Sequence, residues 1–229
     1  MTRGDDVRRR GPAATVRDTV VILARGASRR MGYPKGRHRP VPEGATLLER
    51  VVTLYRSRRW PVVVVTHPSG RRAYADLLDC TGACWLVAPP GGGTARTCLV
   101  AAAALGAAGR RFWFHPVDLP DVRPATLNQL RAAAVADPTA VLVPVYRGTR
   151  GHPVVVPGDL LAGVVSRRPR GAMSVFMMRR GWPHRFLAVS DAGCVRDVDA
   201  ESPQGTERSH RAGNRPTVAM FHNRRHQAR

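Results

Sequence analysis

The chain has 37 Lys+Arg, and only one of these residues, Lys35, is a lysine. A single lysine kept in a chain that otherwise uses arginine points to a position that needs a compact ammonium on a flexible stem. Lys35 lies in "VVILARGASRRMGYPKG", residues 20–36, where an apolar run is followed by a turn containing Gly and Ser, then Arg-Arg and Pro-Lys. A loop leaving the carboxyl end of a strand lets the backbone N–H groups of Ala27 and Ser28 face an anion. Gly26 permits close backbone approach, and Arg30 and Lys35 add charge. Neither G-K-[ST] nor G-x-G-x-x-G is present, which excludes a Walker loop and a dinucleotide fingerprint. The same residues also fit an ordinary surface βα turn with solvated arginines.

Two further segments carry carboxylates. In "FHPVDLPDV", residues 114–122, a strand ends in Asp118 and Pro120 fixes the turn beyond it. A carboxylate at that edge suits Mg²⁺, which takes one or two carboxylates together with substrate phosphates. Asp121 is expected to cap the following helix. In "CVRDVDAESP", Asp197 and Asp199 stand two apart, so an extended segment would present both on one side.

These residues need a scaffold, and the hydrophobic pattern supplies one. Four short apolar runs, 19–24, 61–66, 110–117 and 140–145, have the β-branched character of buried parallel strands. Helical patterns fall between them at 46–57, 72–79, 94–105 and 123–137. This alternation predicts an α/β fold: a single-domain, doubly wound, mostly parallel sheet with ligands beyond the carboxyl ends of its strands. After residue 145 the pattern reads strand 151–157, helices in "LLAGVV" and "AMSVFMMRRG", and strand 184–189, so the sheet is expected to be mixed. Residues 1–17 and 203–229 read as flexible basic tails around a domain at 18–202.

At 229 residues and 43% hydrophobic, the chain can bury a substantial core. No apolar run reaches the length of a membrane span or of a signal-peptide core, so a cytoplasmic protein with no membrane partner is expected. Cys80, Cys84, Cys98 and Cys194 show neither C-x-x-C nor zinc-finger spacing, and free thiols are expected. A net charge of +21 raises the question of nucleic acid. Part of that charge sits in the tails, and no basic stripe interleaved with aromatics appears, so nucleic acid is not the expected partner. A polyanionic small substrate accounts for the charge equally well.

In this order, the three segments resemble a family. "LARGASRRMGYPKG" resembles the L-A-A-G-x-S-x-R-M-G-x-P-K signature of the MobA-like nucleotidyltransferases, and "HPVDLPDV" their strand-terminal D-x-P element. "VPVYRGTRGHPVVV" and "RDVDAESP" are most similar to the molybdenum cofactor cytidylyltransferase branch. The resemblance spans about residues 19–202. It implies a Rossmann-like, nucleotide-diphospho-sugar transferase-like domain that uses Mg²⁺ and an NTP, with CTP the foremost candidate. Such a domain transfers the nucleotidyl group to a phosphorylated, molybdopterin-type acceptor and releases pyrophosphate. A molybdoenzyme or its chaperone would be the protein partner. By motif position, Leu23, Ala24, Gly26, Ala27 and Ser28 would line the nucleotide. Arg30 and Lys35 would neutralise the triphosphate, Asp118 and Asp199 would hold the metal, and His152 would lie near the acceptor.

The sequence departs from the family pattern at three places. Arg25 replaces a small residue, "GRHRP" replaces an apolar pair after Pro-Lys, and "PPGGGTART" replaces a Gly-Ser-Ser turn, with Thr94 and Thr97 as partial substitutes. Two alternatives stand beside the cytidylyltransferase reading. One is transfer of another nucleotide, such as GTP, or transfer to a sugar or alcohol phosphate. The other is a catalytically silent accessory protein that binds the cofactor and delivers it.

Overall fold

The structure is a computed structural model and describes residues 16–25 and 33–198. Parallel β1 (Arg17–Leu23), β2 (Val62–Thr66), β3 (Cys84–Val87) and β4 (Arg110–Pro116) form one half of a sheet, in the spatial order β3-β2-β1-β4. β7 (Val154–Pro157) continues it antiparallel to β4. β5 (Val141–Tyr146) pairs with β7, with β6 (Thr149–Arg150) through a hairpin, and in parallel with β8 (His184–Ala188). The chain moves from β1 outward to β2 and β3, then back past β1 to β4. This reversal opens a crevice at the carboxyl ends of β1 and β4, where a doubly wound sheet binds its ligands.

Period-two alternation sends successive strand residues to opposite faces, and helices cover both. Val20, Ile22, Val62, Val64 and Trp113 share one core with residues of α1 (Leu47–Arg56), α3 (Ala75–Thr81) and α5 (Pro124–Ala136). Val21, Val63, Val65, Phe112 and Phe114 share the other with residues of α4 (Gly93–Leu105), α6 (Gly158–Ala162) and α7 (Met173–Arg179). β2 is buried throughout, as an unbroken valine run requires.

Local signals set the helix starts. Thr46 and Glu49 close a reciprocal capping box on α1, and Pro124 stands in the first turn of α5. The expected helix at 72–79 is instead two: α2 (Pro68–Ala73), with His67 as its cap and Pro68 at its start, and then α3, separated by Tyr74. The strand expected at 151–157 begins only at Val154, because Gly151 and His152 bond to Pro144 and Cys194 outside the β4 ladder. β3 has no counterpart in the sequence reading; it is a half-covered edge strand without a continuous β-branched run. The expected tails fall outside the described residues, apart from Val16 and Arg17, and Arg17 opens β1. Among the described residues no helix is long and apolar enough to cross a membrane. Cys84, Cys98 and Cys194 are free thiols, and only Cys84 is exposed.

Candidate active site

The two charges singled out by the sequence meet at the crevice: Lys35 Nζ lies 3.1 Å from Asp118 Oδ2, with side-chain exposures of 17% and 27%. Each is placed by its own device. Asp118 follows β4 in a turn that stays zipped to β1, since Val117 N donates to Leu23 O at 3.3 Å. His115 secures the turn from below. Its Nε2 lies 2.8 Å from Leu119 O, and its Nδ1 2.7 Å from the Tyr55 hydroxyl. A carbonyl only accepts, so Nε2 carries the proton and Tyr55 donates to Nδ1. The ring is fully buried, and burial pushes its pKa down to about 4, which keeps it neutral.

Lys35 opens a short 3-10 turn, Lys35–Arg37. Gly36 N donates to the Tyr74 hydroxyl at 3.1 Å. A Cβ at Gly36 would meet that oxygen at 2.7 Å, so glycine is required for the approach. Arg37 Nη1 donates to Ala73 O at 2.6 Å, and Arg37 grips Asp76 with both terminal nitrogens, Nη2 at 2.8 Å. The polar "GRHRP" stretch is therefore a clamp that fastens the Lys35 turn to the junction of α2 and α3. Sequence reasoning missed Tyr55, His115, Tyr74 and Asp76; "GRHRP" itself was the available signal.

His152 lies on the β7 side of the crevice, with Nδ1 3.4 Å from Phe114 O and its backbone N–H on Cys194 O at 2.8 Å. Burial lowers its pKa, and the charge of Asp118 acts in the opposite direction. Lys35, Asp118 and His152 are thus brought together. Leu23 and Ala24 end β1 at the same edge, Ala24 buried and its N–H bonded to Val65 O at 3.0 Å. Gly26, Ala27, Ser28 and Arg30 lie outside the described residues, as does Asp199. The preceding Val198 donates its N–H to Asp118 O at 2.9 Å.

One expectation is corrected. Asp121 caps no helix; it pairs with Arg50 at 2.5 Å and Arg196 at 3.5 Å. Buried Asp191 instead ties down the start of α5, accepting from the N–H of the preceding Arg123 at 2.7 Å and from the Thr126 hydroxyl at 2.6 Å. Thr94 and Thr97, named as partial substitutes for serines, both bond within the protein. Thr94 Oγ1 accepts from Met173 N at 3.1 Å, and Thr97 Oγ1 donates to Gly93 O at 3.0 Å while accepting from Arg25 at 2.6 Å.

The described residues contain no group of three His, Cys, Asp or Glu able to hold a metal. The part-exposed Asp118 carboxylate is an oxygen donor of the kind a hard divalent cation takes together with polyphosphate oxygens and water.

The sheet reversal and the Lys35–Asp118 pair at its crevice describe a doubly wound α/β domain with opposite charges at its ligand-binding edge. The family model for the MobA-like NTP transferase domain matches residues 20–182, and the chain belongs to this family, whose reaction is nucleotidyl transfer. No curated protein matches the sequence. Among solved structures, Rv0371c from Mycobacterium tuberculosis H37Rv superposes with a TM-score of 0.61 at 21% identity, covering 76% of this chain and 89% of that one. Its complex with manganese gives 0.57 at 19%, with coverage of 76% and 89%. The 4-diphosphocytidyl-2C-methyl-D-erythritol synthase from Anaerococcus prevotii gives 0.60 at 12%, covering 82% and 92%. Molybdopterin-guanine dinucleotide biosynthesis protein A from Archaeoglobus fulgidus gives 0.54 at 18%, covering 74% and 83%. At these identities the likeness is one of fold.

Proposed function

We propose that the protein is a cytidylyltransferase that moves the CMP group of CTP onto a phosphorylated, molybdopterin-type acceptor. The observation that carries this reading is the Lys35–Asp118 pair at the crevice between β1 and β4, with His152 beside it. An oxygen of the acceptor phosphate forms a bond to the α-phosphorus while the bond from the α-phosphorus to the bridging oxygen breaks. Pyrophosphate leaves with that electron pair. Little covalent chemistry falls to the protein, so catalysis reduces to alignment and charge neutralisation. Lys35 places its charge on the triphosphate, exchanging Asp118 for phosphate oxygens. Asp118, with Asp199, would hold Mg²⁺, which supplies further neutralisation of the departing charge. Arg30 adds to it, and Leu23, Ala24, Gly26, Ala27 and Ser28 line the nucleotide. His152, its pKa lowered by burial, orients the acceptor from the β7 side.

The test is pyrophosphate release from CTP and GTP with Mg²⁺ and a molybdopterin-type acceptor, run beside Asp118→Asn. The expected result is turnover with CTP that falls by at least about a hundredfold in the variant, the scale on which electrostatic groups act in catalysis, with unfolding temperature little changed. Full activity in Asp118→Asn removes the metal assignment. One observation favours the silent accessory reading: Arg25 donates to Thr97, Thr97 to the Gly93 carbonyl, and Thr94 accepts from the Met173 N–H, all within the protein. Nucleotide binding without any pyrophosphate release would select it.

A further inference from the structure

Asp118 and His152 both lie beyond the ladders of the sheet. The register of β4 with β1 ends at Pro116, and that of β4 with β7 ends at Val154, so strand pairing does not set the gap between the two side chains. The contact of His152 Nδ1 with Phe114 O, at 3.4 Å, is long for a hydrogen bond. A later segment, residues 191–198, bonds to the backbone of both. Cys194 O accepts from His152 N at 2.8 Å, and Val198 N donates to Asp118 O at 2.9 Å. The segment also lies directly on both turns: a Cβ at Gly151 would meet Cys194 O at 2.5 Å, and one at Gly193 would strike Asp121 O.

Asp191 anchors this segment at its start. It is 3% exposed, and both carboxylate oxygens accept. Oδ2 takes Arg123 N at 2.7 Å and Thr126 Oγ1 at 2.6 Å, and Oδ1 takes Gly193 N at 2.9 Å. The Asp191 carbonyl accepts from Cys194 Sγ at 3.0 Å. A carboxylate removed from water is costly unless charge-assisted bonds replace the solvent, and such bonds are directional. They pin the segment to the start of α5, and from that fixed point it reaches His152 through Cys194 and Asp118 through Val198. Asp191 is too deeply buried to meet a substrate, so it acts through the segment.

We propose that Asp191 is a positioning residue for group transfer: by pinning residues 191–198 to α5, it sets the separation of the Asp118 carboxylate from the His152 ring. That separation governs the alignment of the triphosphate with the acceptor phosphate. This rests on the nucleotidyl-transfer reading above. In-line attack is sensitive to such alignment, and a misplacement of about 1 Å costs about a hundredfold in rate.

The test compares wild type with Asp191→Asn, in which one oxygen becomes an amide that cannot accept, so at least one of the bonds is lost. Thr126→Val removes one bond while keeping the side-chain shape, and it carries the same test if Asp191→Asn does not fold. Three quantities are read on each full chain: hydrogen exchange by mass spectrometry, affinity for CTP and GTP by calorimetry, and kcat by pyrophosphate release with Mg²⁺ and a molybdopterin-type acceptor. Exchange should quicken at residues 114–122 and 149–154 together and stay unchanged in β1 and β2. Nucleotide affinity should hold while kcat falls by at least about tenfold. Unchanged exchange at either segment, or faster exchange with unchanged kcat, overturns the inference and leaves nucleotidyl transfer standing. Nucleotide affinity that falls as far as kcat, as general loosening would give, also overturns it. Absence of turnover in wild type overturns both readings.

Discussion

Lys35 and Asp118 are 83 positions apart and meet at 3.1 Å, each with solvent access left for a ligand. Removing Lys35 should weaken triphosphate binding by ~1.5–3 kcal/mol, the scale of hydrogen bonds to a charged group, read by calorimetry; unchanged affinity would take Lys35 out of the site. Beneath Asp118, His115 makes a separate and measurable demand. Its pKa falls from 6.5 to about 4 on folding, so between those values the unfolded chain binds more protons than the folded one. Its contribution to stability is therefore complete above pH 6.5 and is lost as pH falls toward 4, by roughly 3 kcal/mol from a shift of this size. Denaturant titrations of wild type and His115→Gln should differ in their acid slope over that window. Equal slopes would show that His115 is not buried neutral.

At the scale of elements, the turn bearing Lys35 is fastened to the junction of α2 and α3 and makes no use of a hydrophobic pair. Asp76 is exposed and its carboxyl lies below the usual carboxylate range, chiefly through its hydrogen bond with Arg37. Asp76→Asn should therefore lower triphosphate affinity several-fold with little change in unfolding temperature, because what is lost is the clamp on Lys35 and no buried contact. An affinity equal to that of wild type would leave Arg37 a surface residue with no part in the site. This junction also explains the divided helix: Tyr74 turns inward to meet Gly36, and the backbone breaks there. Periodicity in residues 72–79 registers the apolar face on both sides of that break but not the break itself, because the partner that causes it is 38 positions away.

For the whole molecule, a charge of +21 spread without a stripe predicts only loose adsorption to polyanions. Binding to duplex DNA should fall steeply with salt and be the same in Asp118→Asn. Adsorption that persists at physiological salt, or that disappears with Asp118, would give nucleic acid a role in this protein's function. The sheet order places the chemistry without reference to that charge, since the reversal at β1 and β4 opens one crevice and the segments bearing Lys35, Asp118 and His152 all lie at it.

Much of this was legible in the sequence for a physical reason. Valine runs buried on both faces, helical patterns between them, and an aspartate just beyond a strand end are local patterns, and local patterns determine an α/β sheet with Asp118 at its carboxyl edge. The pairing of Lys35 with Asp118, the diversion of Asp121 to Arg50 and Arg196, and the bonds from Asp191 to Arg123 and Thr126 are contacts across long stretches of chain. The bonds from Arg25 to Thr97, Pro89 and Gly91 are of the same kind. No period or spacing encodes these contacts. They were decided only when packing brought distant donors and acceptors together and each buried polar group had to take whichever partner lay within reach.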